Sequence, residues 1–329
     1  MCLLGAMTVL LTFLYAPGAT ARGSEPTGSI GIRLLEAPVS RQADPRARAY
    51  IIDHLAPGAV IHRRLEVTNT SDTVQSVGLY AGAARIEDGT FTFAPDRTPN
   101  ELTGWVRIDA ARREVPAHGS ARIEASITVP RTAWHGERYA VIWAQDNGAP
   151  DSVGNIRMVN RVGVRVYLDV GPGGERPSDF RIIDIVAARA ADGTPEVLAG
   201  VHNTGGRALD MSGSLSLSDG PGSLSAGPFP ANLGTTLGIN DTEHVTLPLD
   251  KHLPDGPWTA HLTLTSGLIR HAVTAALTFP HSVGAQGPVR AGPAAGSRAA
   301  VLGTAAAAAA VLVGSLVYRR GRRRSARPS

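Results

Sequence analysis

Cysteine and lysine are almost missing from this chain of 329 residues: Cys2 and Lys251 are the only examples of each. Cys2 lies in a segment read below as removed. The mature protein is therefore expected to have no disulfide, no thiol nucleophile and no thiolate metal site. Aromatic residues are scarce at 5%, yet hydrophobic residues reach 43%, enough to build one or two cores, and this excludes global disorder. An excess of positive charge is also missing once position is considered. Arg319, Arg320, Arg322, Arg323, Arg324 and Arg327 crowd the last eleven residues. Without those six, 26 basic groups face 28 acidic ones, so the alkaline pI reports a tail, and no nucleic-acid partner is expected.

The motifs of common enzymes are absent as well. There is no Gly-x-Ser-x-Gly, no His-Glu-x-x-His, no Ser-x-x-Lys and no phosphate-binding glycine loop, and ten histidines scattered singly make no ligand spacing. His135-Gly136-Glu137 and Asp241-Thr242-Glu243-His244 set acids beside histidines, but adjacent strand residues point to opposite faces. Asp146-Asn147-Gly148 with Asp151 offers several oxygens to a calcium ion, and the same residues serve a tight turn equally well. The expectation is a protein that binds and does not catalyse, with no cofactor and no metal.

What is present is a hydrophobic segment at each end. Leu3 to Tyr15 is a short apolar run followed by Pro17-Gly18 and Ala19-Thr20-Ala21, the pattern of a secretory signal cut after Ala21. Ala299 to Tyr318 holds twenty residues without a charge, which at about 1.5 Å per residue reach about 30 Å, one hydrocarbon core. The arginines Arg319, Arg320, Arg322, Arg323 and Arg324 follow directly, and the positive-inside rule places them in the cytoplasm. The expected protein is single-pass in the cell membrane, with its N-terminus outside after signal cleavage.

Between these ends the dominant period is two. Arg122-Ile123-Glu124-Ala125-Ser126-Ile127-Thr128-Val129 alternates without a break, and so do Arg64 to Thr68, Arg161 to Asp169, Ser214 to Ser218 and His261 to Thr265. Turn chemistry separates the runs at Pro57-Gly58, Asp88-Gly89, His118-Gly119, Asp192-Gly193, Asn203-Thr204-Gly205 and Asp255-Gly256. Short strands at this spacing predict an all-β fold. Gly171 to Ser178 follows neither period and reads as a linker. The expected order is a signal over 1–21, a first β-sandwich over 22–170, a linker over 171–178, a second β-sandwich over 179–280, a flexible stalk over 281–298, one C-terminal transmembrane α-helix over 299–318 and an Arg-rich tail over 319–329.

The first sandwich carries Tyr50, Leu55-Ala56-Pro57-Gly58, the strand ending Leu65-Glu66-Val67-Thr68-Asn69-Thr70-Ser71, Glu87-Asp88-Gly89 before Phe91, Trp105, and Ile127-Thr128-Val129-Pro130 before Gly136-Glu137-Arg138-Tyr139. In that order these features resemble the WxL-interacting protein family of Gram-positive surface proteins. The resemblance implies two immunoglobulin-like β-sandwich domains in tandem, the first contacting peptidoglycan or another cell-wall glycan, the second a surface or host protein. An alternative from another class is an envelope-assembly factor, chaperone-like, acting by strand addition at an exposed sheet edge; a cryptic secreted hydrolase is a third.

Tyr139, Val141 and Trp143 share one face of a strand while Ala140, Ile142 and Ala144 share the other. Both faces are apolar, so one must be covered by something. Trp143 in mid-strand reads as a core residue. Trp134 and Tyr139, near the Gly136 turn, are the candidate platform for sugar rings, with Arg131 and Arg138 as partners for carboxylates. The topology is checked by a reporter enzyme fused after Ser329, which is expected to be active only in the cytoplasm; activity outside the cell reverses the orientation.

Overall fold

In the computed structural model, the residues described are 30–146, 159–284, 287 and 289–291. The expected signal, membrane span and arginine tail lie outside them, as do Asn147, Gly148 and Asp151. Among the described residues no helix is long and apolar enough to cross a membrane.

The described residues are almost entirely β and form two sandwiches. The first contains β1 (Ile30–Leu34), β2 (Ile51–Leu55), β3 (Val60–Asn69), β4 (Gln75–Glu87), β5 (Thr90–Phe93), β6 (Val106–Ile108), β7 (Arg112–Val115), β8 (Ser120–Thr128), β9 (Gly136–Asp146) and β10 (Asn160–Val170). One sheet runs β1-β3-β8-β6; the other runs β2-β10-β9-β4-β5, with β7 also on β4. This is the immunoglobulin-like arrangement of two facing antiparallel sheets, with the leading strand divided between them. β1 pairs antiparallel with β3, residues 35–50 cross the open side through the short helix α1 (Arg46–Ala49), and β2 joins β10 in parallel.

Alternation explains the packing. Along β8 and just beyond it, Ile123, Ala125, Ile127 and Val129 are buried while Arg122, Glu124 and Thr128 are exposed. Facing them, Ala140, Ile142 and Ala144 of β9 and Val164, Val166 and Leu168 of β10 complete one core. Burying such side chains is the main favourable term holding the two sheets together.

The second sandwich contains β11 (Phe180–Arg189), β12 (Pro195–Asn203), β13 (Leu209–Asp210), β14 (Ser212–Ser218), β15 (Ala226–Pro230), β16 (Thr236–Leu237), β17 (Thr242–Pro248), β18 (Trp258–Ser266), β19 (Ile269–Leu277) and β20 (Val289–Ala291). Sheet β11-β12-β17 faces sheet β15-β14-β18-β19-β20 around Phe180, Val201, Trp258, Leu262 and Phe279. β20 falls inside the stretch expected as a flexible stalk. It pairs with Ala275 to Leu277, and Gly287 bridges Ala187, so the start of that stretch belongs to the sandwich. A strand there covers backbone groups that the outer edge of β19 would otherwise leave open.

The two sandwiches repeat one device. Asn69 ends β3 and Asn203 ends β12, and both side chains are buried. Asn69 Nδ2 donates to the carbonyls of Thr73, Val115 and Pro116, and its Oδ1 accepts from the Ser71 amide. Asn203 does the same with Arg207, Leu237 and Gly238, and with the Gly205 amide. Each asparagine thus ties its own turn to a second loop. Leaving such buried carbonyls without a donor costs on the order of 1–3 kcal/mol per group. Asn203→Ala is therefore expected to lower stability by about 2–4 kcal/mol in urea melts, while the exposed Thr204→Ala changes it by less than about 0.5 kcal/mol. Equal melts for the two variants refute the role.

Candidate functional site

The structure does not bring the four residues expected as a saccharide platform to one surface. Trp134 lies in the loop before β9 and is 82% exposed. Arg131 is exposed in the same loop, its stem beside Gly58. Arg138 lies against the Trp105 ring, with its guanidinium 4.9 Å from the ring centroid, and donates to Glu101 at 2.7 Å. Tyr139, being adjacent on the strand, turns to the opposite face. There its ring meets Phe91 and Tyr167 edge-on at 6.0 and 5.8 Å, and its hydroxyl donates to Glu137 at 2.8 Å. Burial, reinforced by the Glu137 carboxylate, pushes the Tyr139 hydroxyl far above its ordinary pKa.

What occupies the second apolar face of β9 is the joint between the sandwiches. Val141, Trp143, Tyr167, Ile52, Tyr80 and Phe91 form a cluster on it that includes Ala208 of the second sandwich. Around this cluster runs a set of ion pairs. Arg207 and Glu137, with side chains 2% and 1% exposed, meet at 2.9 Å. Glu137 also accepts from the Ala208 amide, at 2.7 Å, and Arg207 also pairs with Glu175 of the linker. Glu175 in turn holds Arg41. On the other side Asp210 accepts from Arg46, Arg165, Tyr167 and Thr236 at 2.7–3.1 Å. Burial and the neighbouring Asp210 carboxylate raise the Tyr167 hydroxyl well above its ordinary pKa.

The linker is tied down by the same groups. Asp169 takes Arg176 and His54; burial pushes its carboxyl up, but the hydrogen bonds from those two partners outweigh that and hold it below the usual range. Asp53, paired with Arg63, is raised because burial outweighs the pairing. The β4–β5 hairpin closes the joint from outside. The Thr236 amide donates to Gly89 at 2.8 Å, and a Cβ at Gly89, whose φ is +66°, would lie 2.9 Å from the Glu243 side chain. Clefts of about 260 and 460 Å³ open on either side of α1. Among the described residues no group of three or more His, Cys, Asp or Glu is placed to hold a metal ion.

A second feature lies on β10. Strand β9 pairs with its whole length, Asn160 to Val170, but β2 pairs only with Val166 to Val170. Among the described residues nothing pairs with the outer edge of Asn160 to Arg165. Beside that edge Val162 and Ile32 are half-buried, and Val159 is 52% exposed.

The joint is a contact between residues far apart in the chain. Its signal was faint: Arg207 and Asp210 sit among Ala208, Leu209 and Met211, charges embedded in an apolar stretch. Removing one member of a buried ion pair leaves the other uncompensated, at about 3–5 kcal/mol. Arg207→Met is expected to cost about that much and to split calorimetric unfolding into two transitions, with Glu137→Gln in the same chain recovering part of the loss. One unshifted transition refutes the coupling.

No family model matches this sequence, and no curated protein matches it. Among solved structures, a chain of the Salmonella enterica SafA pilin complex with the SafB chaperone is similar at 10% identity and a TM-score of 0.41, over 76% of this chain and 96% of that one. The YadV chaperone is similar at 10% identity and 0.38, over 74% and 98%. The Pseudomonas aeruginosa CupB2 chaperone is similar at 11% identity and 0.37, over 69% and 96%. These are low-identity similarities between β-sandwich chains, and no activity or partner follows from them.

Proposed function

We propose that this chain is a binding protein of the cell exterior, tethered by its C-terminal apolar segment, which captures an extended segment of a partner protein along the open half of β10. The observation that carries this reading is the outer edge of Asn160 to Arg165, which nothing among the described residues pairs with and which half-buried Val162 and Ile32 flank. An extended segment added there gains main-chain hydrogen bonds from the edge, while the apolar side chains beside it select alternate residues of the segment. The joint supports the reading by holding β10 rigid at its paired half, through Tyr167 and Asp169, and at the inner end of the open half, through Arg165, all of them held by partners across or beside the joint. A preformed edge spends less ordering entropy on binding than a mobile one.

A second reading, cell-wall glycan contact, is the one the family resemblance implies. One observation favours it, the 82% exposure of Trp134, since a free indole face stacks on apolar faces of a ligand.

Hydrogen exchange of the full chain, with and without a synthetic hexapeptide of alternating valine and threonine, tests the first reading. Protection is expected at the amides of residues 160–165; protection elsewhere, or none, overturns it. Peptidoglycan pull-down of Trp134→Ala decides the second, which requires retention to weaken by about 1–2 kcal/mol without a change in melting temperature.

A further inference from the structure

The sheet face that packs on the second sandwich continues beyond the joint, and there it carries exposed arginines on aromatic rings. Arg112, Gly78, Gln145 and Arg161 are register neighbours across β7, β4, β9 and β10. At about 4.8 Å per strand, the two outer Cα atoms stand about 14 Å apart. The next row is Tyr80 opposite Trp143. Arg161 lies 4.6 Å above the Trp143 ring, and Arg97 lies 4.3 Å above Tyr80. Arg97 Nη2 sits 3.7 Å from where a Cβ on Gly78 would be, so it occupies the gap that the glycine leaves between the flanking cations.

These three arginines differ from most others in the chain. Arg113 on the neighbouring position pairs with Asp109, and Arg165 farther along β10 pairs with Asp210. Arg97, Arg112 and Arg161 are exposed and take part in no ion pair among the described residues, although Asp96 and Glu114 lie close to them in the chain. Stacking on an aromatic face orients a guanidinium and spares part of the side-chain entropy otherwise lost on binding, while its N–H groups stay outward for a carboxylate. Tryptophan, tyrosine and arginine together are also the residues that dominate protein interfaces.

We infer that this row is a recognition site for an acidic, extended segment of a partner protein with carboxylates on alternate residues. In an extended chain, residues i, i+2 and i+4 point the same way and span about 13 Å, which matches the distance from Arg112 to Arg161 with Arg97 between them. A segment with its acids adjacent in sequence presents successive carboxylates to opposite sides and reaches the row with only half of them. The site lies on the sheet face and requires no pairing with the edge of β10, so it stands or falls separately from strand capture there.

The test titrates the full chain, by calorimetry, with a capped seven-residue peptide carrying glutamate at alternate positions and serine between. The comparators are a peptide of the same composition with its glutamates consecutive, the glutamine counterpart, and inorganic polyphosphate. The alternating peptide is expected to bind at least tenfold more tightly than the other two peptides. Arg97→Gln with Arg161→Gln is expected to weaken it at least tenfold with an unchanged melting temperature, and Arg122→Gln on the opposite sheet is expected to leave it unchanged. Should the double variant melt early, Arg112→Gln, whose side chain stacks on no ring, is read in its place. Equal binding of the two glutamate peptides reduces the row to unspecific charge and overturns the inference, as does indifference to the arginine variants or no binding by the native chain. Polyphosphate binding at the same arginines more tightly than the alternating peptide overturns it in favour of a phosphate polymer.

Discussion

The contact between Arg207 and Glu137 organises the molecule. Taking two charges out of water is expensive, and the cost is offset only when each charge is fully hydrogen-bonded in its new place. Glu137 meets that condition through Arg207, the Ala208 amide and the Tyr139 hydroxyl. Arg207 meets it through Glu137 and Glu175, with Glu175 also holding Arg41 on the strand crossover. Since the partners come from the first sandwich, the linker and the second sandwich, the pair is satisfied only when all three are in register.

From that closure the rest follows. The aromatic face of β9 is apolar on a surface where a lone sandwich would leave it in water, and docking covers Tyr139, Val141 and Tyr167 while leaving Trp143 at the margin under Arg161 and Phe93. The buried Trp143 indole Nε1 has no acceptor among the described residues, and it lies 2.8 Å from where a Cβ on Gly82 would be. The parallel pairing of β2 with β10 ends at Val166 because the chain reaches β2 only after the crossover, and α1 on that crossover is held by Arg46 to Asp210. The open half of β10 and the closed joint are thus two results of one crossover.

Charge is used in two ways on this face. At the joint, arginines and carboxylates share partners, Arg207 with Glu137 and Glu175 and Asp210 with Arg46 and Arg165, and serve closure. Beyond it, Arg97, Arg112 and Arg161 are exposed, and Arg97 and Arg161 rest on the rings of Tyr80 and Trp143. The same residue type gives rigidity where it is desolvated on all sides and recognition where it is desolvated on one.

Much of the fold was legible in the chain. A period of two can be read locally because each strand residue reports its own face, and Arg122 to Val129 shows the alternation that the structure has. Between β10 and β11 no strand runs over Gly171 to Ser178. The sites were not legible. Trp134 and Tyr139 are five residues apart and looked like one platform, but whether Tyr139 faces solvent depends on a domain that begins some forty residues later in the chain. The asparagine device appeared only as two short motifs, Asn69-Thr70-Ser71 and Asn203-Thr204-Gly205, and two of the three carbonyl partners of each asparagine are distant in sequence. Local alternation decided which residues are inside each sandwich. Tertiary structure alone decided which outer faces meet, because ion pairs 70 residues apart leave no periodic trace in a sequence.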